Sequence, residues 1–154
     1  MNTDPFNLQR FVNAQDPVWD TVLAELAAGR KRGRWIPFVF PQLRVQVDSE
    51  QPDHYGISSL EEARAYLAHP LLGARLKECT WQLLAHKDKS AFEIFGFFDQ
   101  WKFQSSMTLF ERAAEITPVF PLAIHQFFGG GRDFGLLDTL RRMDTEVAKV
   151  RKVA

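Results

Sequence analysis

Asp99 to Phe110 reads DQWKFQSSMTLF, and this stretch decides the fold because its apolar residues fall on two faces of a helix. At helical spacing, Trp101 and Leu109 share one face, whereas Phe103 and Met107 lie on another. A helix that is apolar on more than one face packs at the centre of a protein. We therefore predict a central helix here, surrounded by other helices.

Helix-boundary signals recur on both sides of this central segment. Predicted helices begin at Asp4-Pro5, Asp16-Pro17, Ser58-Ser59, Pro70, Ser90, Asp99 and Thr117-Pro118, and a last one carries Leu136 to Val150. We expect Ser58 with Glu61, Ser59 with Glu62, and Ser90 with Glu93 to form capping boxes. The pattern predicts an all-α fold, one domain of about eight helices over residues 1–154. The exception is one short segment at residues 35–47, Trp35 to Val47, which is predicted to be extended or irregular.

The composition fits a core-rich globular protein and excludes several classes of function. Nineteen basic and nineteen acidic side chains cancel, whereas a dedicated DNA-binding protein carries an excess of Lys and Arg. The longest apolar run, Trp35 to Pro41, is too short to span a bilayer. We therefore expect no DNA and no membrane partner. Cys79 is the sole cysteine and the N-terminus shows no secretory pattern, so we expect a cytoplasmic protein.

The sequence shows no motif for metal binding or nucleophilic catalysis. The histidines, at positions 54, 69, 86 and 125, do not share a helix at ligand spacing, and no Ca²⁺-loop pattern occurs. We predict no metal and no cofactor. Cys79 lies on an apolar stripe with Leu76 and Leu83, which favours a buried core thiol. His69 precedes Pro70, which favours a helix cap over a ligand.

Arg30, Lys31, Arg32 and Arg34 form a basic run that turns abruptly apolar at Trp35. In one interpretation this run is a solvated helix end followed by a segment that enters the core, since cations are favoured after a helix C-terminus. In the other, aromatic rings beside cations stack on and neutralise a nucleotide. The first interpretation is the commoner in proteins.

The hydroxyl groups of the central segment also allow two interpretations. In the first interpretation, the hydroxyls of Ser105, Ser106 and Thr108 donate to the backbone carbonyls four residues earlier, and the Lys102 side chain extends to water. This is the usual outcome for such residues in a helix. Alternatively, these groups line a polar pocket for an anionic or sugar-like ligand, since buried polar groups need partners.

Several short motifs, taken in order, resemble a known family from Asp4 to about Leu140. They include Asp4-Pro5-Phe6, Phe38-Val39-Phe40-Pro41-Gln42-Leu43, His69-Pro70, Ser105-Ser106-Met107-Thr108-Leu109-Phe110 and Phe127-Phe128-Gly129-Gly130. The chain resembles the uncharacterised bacterial family filed as domain of unknown function 1810, whose members are often mislabelled calpastatin. The resemblance implies an all-α fold and no established activity.

The chain departs from the family pattern beside the basic run. Arg34 stands where the family usually has histidine, Pro37 where it usually has a second tryptophan, and Arg44 to Val47 replaces a glycine-rich turn. If this region forms a family pocket, its ligand in this chain is altered or lost. The segment from Lys102 to Phe110 keeps the family pattern.

Our leading hypothesis is a pocket for a small anionic, phosphorylated or nucleotide-like molecule, with or without catalysis. The candidate residues are polar groups set among aromatic rings: Lys31, Trp35, Gln42, Tyr55, Lys102, Ser105 and Ser106. The two lysines would balance phosphate charge, the Trp35 ring would stack on a base, and the serines with Gln42 would orient a sugar. The hypothesis requires these residues to converge on one cavity.

Two other classes of function remain open at this stage. A protein-interaction module without chemistry, a monomer or weak homodimer, would expose an apolar stripe along the basic last helix, Leu136 to Val150. A weak RNA-binding protein would need one continuous basic face that joins Arg30–Arg34 to Arg141–Lys152.

Overall fold

The computed structural model describes residues 3–44, 54–114 and 116–153, and its regular structure there is helical. The helices are α1 (Gln9–Gln15), α2 (Trp19–Ala28), α3 (Ile36–Val39), α4 (Leu60–Ala68), α5 (Leu72–Leu84), α6 (Ala91–Ala113), α7 (Val119–Phe128) and α8 (Phe134–Val153). A 3₁₀ turn, Asp16–Val18, joins α1 to α2. The predicted all-α fold is confirmed. No helix in these ranges has both the length and the apolar character needed to cross a membrane.

Helix α6 lies at the centre of the fold, as the sequence predicts. It packs against α4, α7, α8 and the short α3. Phe103 is fully buried, stacked on Phe95 at 4.7 Å and in edge contact with Phe40 at 5.0 Å between ring centroids. Every helix contributes buried residues to this core.

The central helix is interrupted at Gly96, which has φ 84° and ψ 177°, a non-helical conformation essentially restricted to glycine. A glycine here indicates the end of the helix that begins at Ser90, and the interruption confirms this, so α6 consists of two helical segments joined at a bend. The predicted cap role of Asp99 is corrected, because Asp99 lies inside the second segment and its carboxylate binds lysine side chains. The predicted capping box of Ser90 with Glu93 at the start of α6 is confirmed.

The caps of α4 and α5 differ in detail from the prediction. Ser59 caps α4, because its hydroxyl accepts the Glu62 N–H at 3.1 Å. Ser58 bonds to the Glu62 carboxylate rather than forming the expected box with Glu61. The predicted cap role of His69 is confirmed, since its Nδ1 accepts the backbone N–H groups of the first turn of α5.

The structure corrects the predicted extended segment at its beginning. Ile36–Val39 forms a single helical turn, which places Pro37 in the first turn, where a missing N–H is harmless. The chain becomes extended afterwards, where Leu43 pairs with Ile57 in an isolated parallel bridge. Residues 45–47, the end of the predicted segment, lie outside the described residues.

The Arg10 side chain joins the N-terminal turn, the chain before α4, and α4 itself. Its guanidinium donates to the carbonyls of Phe6, Asn7, His54 and Gly56, at 2.6 to 3.1 Å. It also pairs with the Glu62 carboxylate at 2.8 Å, and both side chains are less than a tenth exposed. Only arginine has a planar side chain with enough N–H donors to make all of these hydrogen bonds at once.

We expect Arg10→Ala to destabilise the protein by about 3–5 kcal/mol, because Glu62 would remain buried without its counter-charge. Urea unfolding at neutral pH measures this change. The control is Arg141→Ala, which removes an exposed arginine 3.9 Å from Asp138 and should cost less than about 0.5 kcal/mol. Equal losses in the two variants would contradict the role of Arg10.

Candidate functional site

A groove of about 820 Å³ lies between α6, α8 and the chain around Leu43. Its volume falls in the range of roughly 300–1,000 Å³ that is typical of small-molecule sites. Polar groups alternate with apolar ones along its wall: Leu43, Arg44, Ser58, Ser105, Asp133, Gly135, Leu136, Thr139, Arg142, Met143 and Glu146. A surface of this kind suits a ligand that carries both charge and an apolar part.

The three hydroxyl groups of α6 have different environments. Thr108 donates to the carbonyl of Gln104 at 2.8 Å, as the back-bonding interpretation expects, and accepts the Asp133 N–H at 3.1 Å. The Ser106 hydroxyl is fully buried and has no hydrogen-bond partner among the described residues. Ser105 is 9% exposed and lines the groove, and its hydroxyl also has no partner there. Unlike the Ser106 hydroxyl, it is not fully enclosed, so water or a ligand in the groove can reach it.

We expect Ser106→Ala to leave the free energy of unfolding unchanged or to raise it by up to about 1 kcal/mol, since the hydroxyl is desolvated without compensation. Thr108→Val is the matched control and should destabilise by about 1–2 kcal/mol, because it removes two hydrogen bonds. Urea unfolding distinguishes the two variants. A loss above 1 kcal/mol for Ser106→Ala would mean that the hydroxyl is bonded.

The loop between α7 and α8 forms one end of the groove. The αL residue Gly129 ends α7, and Asp133 caps α8 by accepting the Leu136 N–H at 3.0 Å. Arg132 forms a two-point pair with Glu111, at 2.6 and 2.7 Å, and these hydrogen bonds raise the pKa of the guanidinium. The loop is thus fixed against α6, which positions the groove wall.

Lys31, Trp35 and Lys102 meet around Asp99, away from the groove lining. Lys31 Nζ lies 2.7 Å from one carboxylate oxygen of Asp99, and Lys102 Nζ lies 3.3 Å from the other. Lys31 Nζ also lies 5.6 Å from the centroid of the buried Trp35 ring, whose Nε1 donates to Glu25. The charge of Lys31 is therefore balanced within the protein.

Partial burial raises the pKa of the Asp99 carboxyl, but hydrogen bonds and charges from Lys31 and Lys102 outweigh it, so the pKa lies below its ordinary value of 3.8. A lowered folded-state pKa contributes stability that is present above the ordinary value and disappears as the pH falls through the folded-state value.

We therefore expect Asp99→Asn to destabilise the protein most at neutral pH, with the difference from the wild type shrinking below about pH 4. Thermal unfolding between neutral and strongly acidic pH measures this trend. A difference that is independent of pH would show that the substitution acts by packing alone.

The other predicted site residues lie elsewhere. The Gln42 carbonyl accepts the Ile57 N–H at 2.8 Å, next to the groove residue Leu43. Tyr55 packs against Phe11, Phe38 and His54. The seven predicted residues are thus divided among the groove (Ser105), the Asp99 cluster, the aromatic rings at Tyr55, the Leu43 segment and the core (Ser106).

Sequence reasoning missed most of the groove. Arg44, Thr139 and Arg142 come from distant parts of the chain and carry no shared motif. Asp133 follows a glycine run, which is a local signal of a loop but not of a groove wall. Cys79 is buried, as predicted, and burial raises the pKa of its thiol to about 12.

The fold and the groove define an all-α protein built on one bent central helix. The chain belongs to the family described as "Protein of unknown function (DUF1810)", which matches residues 5–140. The crystal structure of the conserved hypothetical protein Rv1873 from Mycobacterium tuberculosis is similar, with 51% sequence identity and a TM-score of 0.86. The alignment covers 90% of this chain and 99% of that one. No curated protein matches the chain.

Proposed function

We propose that the groove between α6 and α8 binds a small phosphorylated or nucleotide-like molecule, with or without catalysis. The observation that supports this most directly is the hydroxyl of Ser105, a residue that is 9% exposed, which lines the groove and has no partner among the described residues. A buried hydroxyl that lacks a protein partner costs free energy unless water or a ligand satisfies it. A ligand hydroxyl or phosphate oxygen in the groove would fill that role.

Two arginines of the groove, which also carries the carboxylates of Asp133 and Glu146, would contact an anion. Arg44 is exposed, and among the described residues its guanidinium makes one long bond, 3.4 Å, to the Gly56 carbonyl. Arg142 pairs with the half-exposed Asp138, and exposed pairs of this kind contribute little, so they exchange readily for phosphate. Arginine suits phosphate because its planar fork binds two oxygens at once.

The remaining groove residues suit the rest of such a ligand. Leu43, Leu136 and Met143 offer an apolar surface for a ring, and the Ser58 and Thr139 hydroxyls lie on the same wall. The proposal keeps the ligand class that the sequence suggested but assigns the charge contacts to arginines rather than to the two lysines at Asp99. A bacterial, cytoplasmic setting is part of the proposal, supported by the bacterial neighbour and the single buried thiol.

The test is a thermal-shift screen against nucleotides, sugar phosphates and ADP-ribose-like compounds, followed by calorimetry on any positive. A compound at 100 times its dissociation constant should stabilise the protein by roughly 2.7 kcal/mol. Ser105→Ala should weaken binding by about five- to tenfold, because a lost hydrogen bond is worth about 1–1.5 kcal/mol and the apolar replacement cannot pair with the ligand.

Ser106→Ala is the matched control for Ser105→Ala, because it removes the neighbouring hydroxyl, which does not line the groove. Arg141→Ala controls in the same way for Arg142→Ala. A flat response across the panel overturns the proposal, as does binding that Ser105→Ala and Arg142→Ala leave unchanged.

The outer half of α8 supports a second candidate, a protein-interaction module. Leu136 and Leu140 are buried, but Val147 and Val150 are 46% and 68% exposed on the same stripe. A partner helix would cover these valines. Light scattering of the wild type and of Val147→Ser with Val150→Ser tests whether a second copy does so, with a dimer only in the wild type as the supporting result.

A further inference from the structure

Three large aromatic side chains stand exposed directly after the bend of α6. Phe97, Phe98 and Trp101 are 61%, 75% and 50% exposed. Their spacing of three and four residues places them on one side of the helix, and the rings of Phe97 and Phe98 touch at 5.1 Å between centroids. We call these three residues the aromatic knuckle. A cluster of exposed rings of this size marks a surface that meets something apolar.

The backbone that carries the aromatic knuckle is fixed by contacts on both sides of the Gly96 bend. The Gly96 bend sends Phe95 into the core and the next two rings outward. The Lys31 N–H donates to the Ile94 carbonyl at 2.8 Å, and Lys31 Nζ binds Asp99 on the other side of the bend. The exposed rings therefore stand on a hydrogen-bonded helical backbone rather than on a loop.

Lys31 connects the basic run to the same bend through its bonds to Ile94 and Asp99. Its neighbours Arg30, Arg32 and Arg34 are exposed, and their guanidinium groups form no ion pair with the described residues. Two of them line a shallow hollow with Lys89, Asp20 and Glu25, and Lys89 also interacts with the exposed Glu93 carboxylate, so the charges there cancel. Lys31 and Lys102 share the single charge of Asp99, which leaves one positive charge, and Arg34 adds another. The surface at the bend is thus positive although the whole chain is neutral.

We propose that the aromatic knuckle and Arg30, Arg32 and Arg34 together dock on the surface of a bilayer that contains anionic lipids. Phenylalanine rings enter the boundary between headgroups and acyl chains, and tryptophan prefers the interface itself. The arginines meet the negative surface potential of the lipids. The protein lies on the membrane and does not cross it.

A bilayer suits this surface better than a folded partner does. Phe98 is three-quarters exposed and projects from the protein, as a ring that inserts into lipid must. The expectation of no membrane partner rested on the length of the longest apolar run and on net charge, and neither property describes a local patch. The proposal is independent of the groove, whose ligand-binding test it leaves unaffected.

The experiment is flotation of the full chain with vesicles of phosphatidylcholine alone and of phosphatidylcholine mixed with phosphatidylglycerol. We expect binding to the mixed vesicles only, weakened by added salt. Replacing Phe97 and Phe98 by serine should abolish flotation. Each arginine replaced by alanine in the basic run should weaken partitioning by about fivefold.

Two control variants distinguish binding through this surface from non-specific binding to vesicles. Phe134→Ser removes a ring that is 74% exposed at the start of α8 and should leave flotation unchanged. Arg141→Ala removes an exposed arginine outside the basic run and should do the same. Thermal unfolding confirms that each variant is folded, and Trp101→Ser serves as a second knuckle variant.

Several results would overturn the proposal. They are absence of flotation with mixed vesicles, wild-type flotation by the double serine variant, and equal loss in Phe134→Ser. Light scattering that shows a dimer, lost in the double serine variant and unaffected by vesicles, would assign the knuckle to a second copy of the chain. Release from vesicles by single-stranded RNA, with retained RNA binding in lipid-free solution, would assign the basic run to nucleic acid instead.

Discussion

A single guanidinium group, that of Arg10, holds together parts of the chain that lie more than forty residues apart in sequence. Residues 54–59, just before α4, lie outside the helices, so their carbonyls need donors from elsewhere. Arg10 supplies them to His54 and Gly56 while neutralising Glu62, which in turn accepts from Ser58. The position of α4 against α6, and of Ser58 in the groove wall, both depend on this one side chain.

The bend in α6 divides the molecule into two functional surfaces. Beyond the bend, Ser105 faces the groove that α8 closes. At the bend stand the exposed rings, and Lys31 of the basic run binds Asp99 there, which is the surface that we propose to meet a membrane. One central helix therefore carries both candidate sites, and the residues between them, such as Phe103, are committed to the core.

The local elements were predictable because their signals are local. The Ser90 capping box and the His69 cap each involve residues within a few positions of one another. The groove was not predictable, because Arg44 and Arg142 are brought together only by the packing of α8. A similar limit explains why Asp99 does not cap a helix as predicted. Its carboxylate binds Lys31, a residue far away in sequence, and no local signal predicts that pair.

The bend also means that α6 is not one cooperative unit. Residues 91–95 form barely more than one turn, and a helix that short does not persist on its own in water. This short segment is stabilised by the Phe95 ring, which is buried in the core, and by the hydrogen bond from the Lys31 N–H to the Ile94 carbonyl. Local opening of this short arm would break the bond from the Lys31 N–H, while Lys31 Nζ would stay bound to Asp99 on the long arm. In hydrogen exchange the amides of the two arms would then belong to separate opening units, and the exposed rings would stay folded together with Ser105.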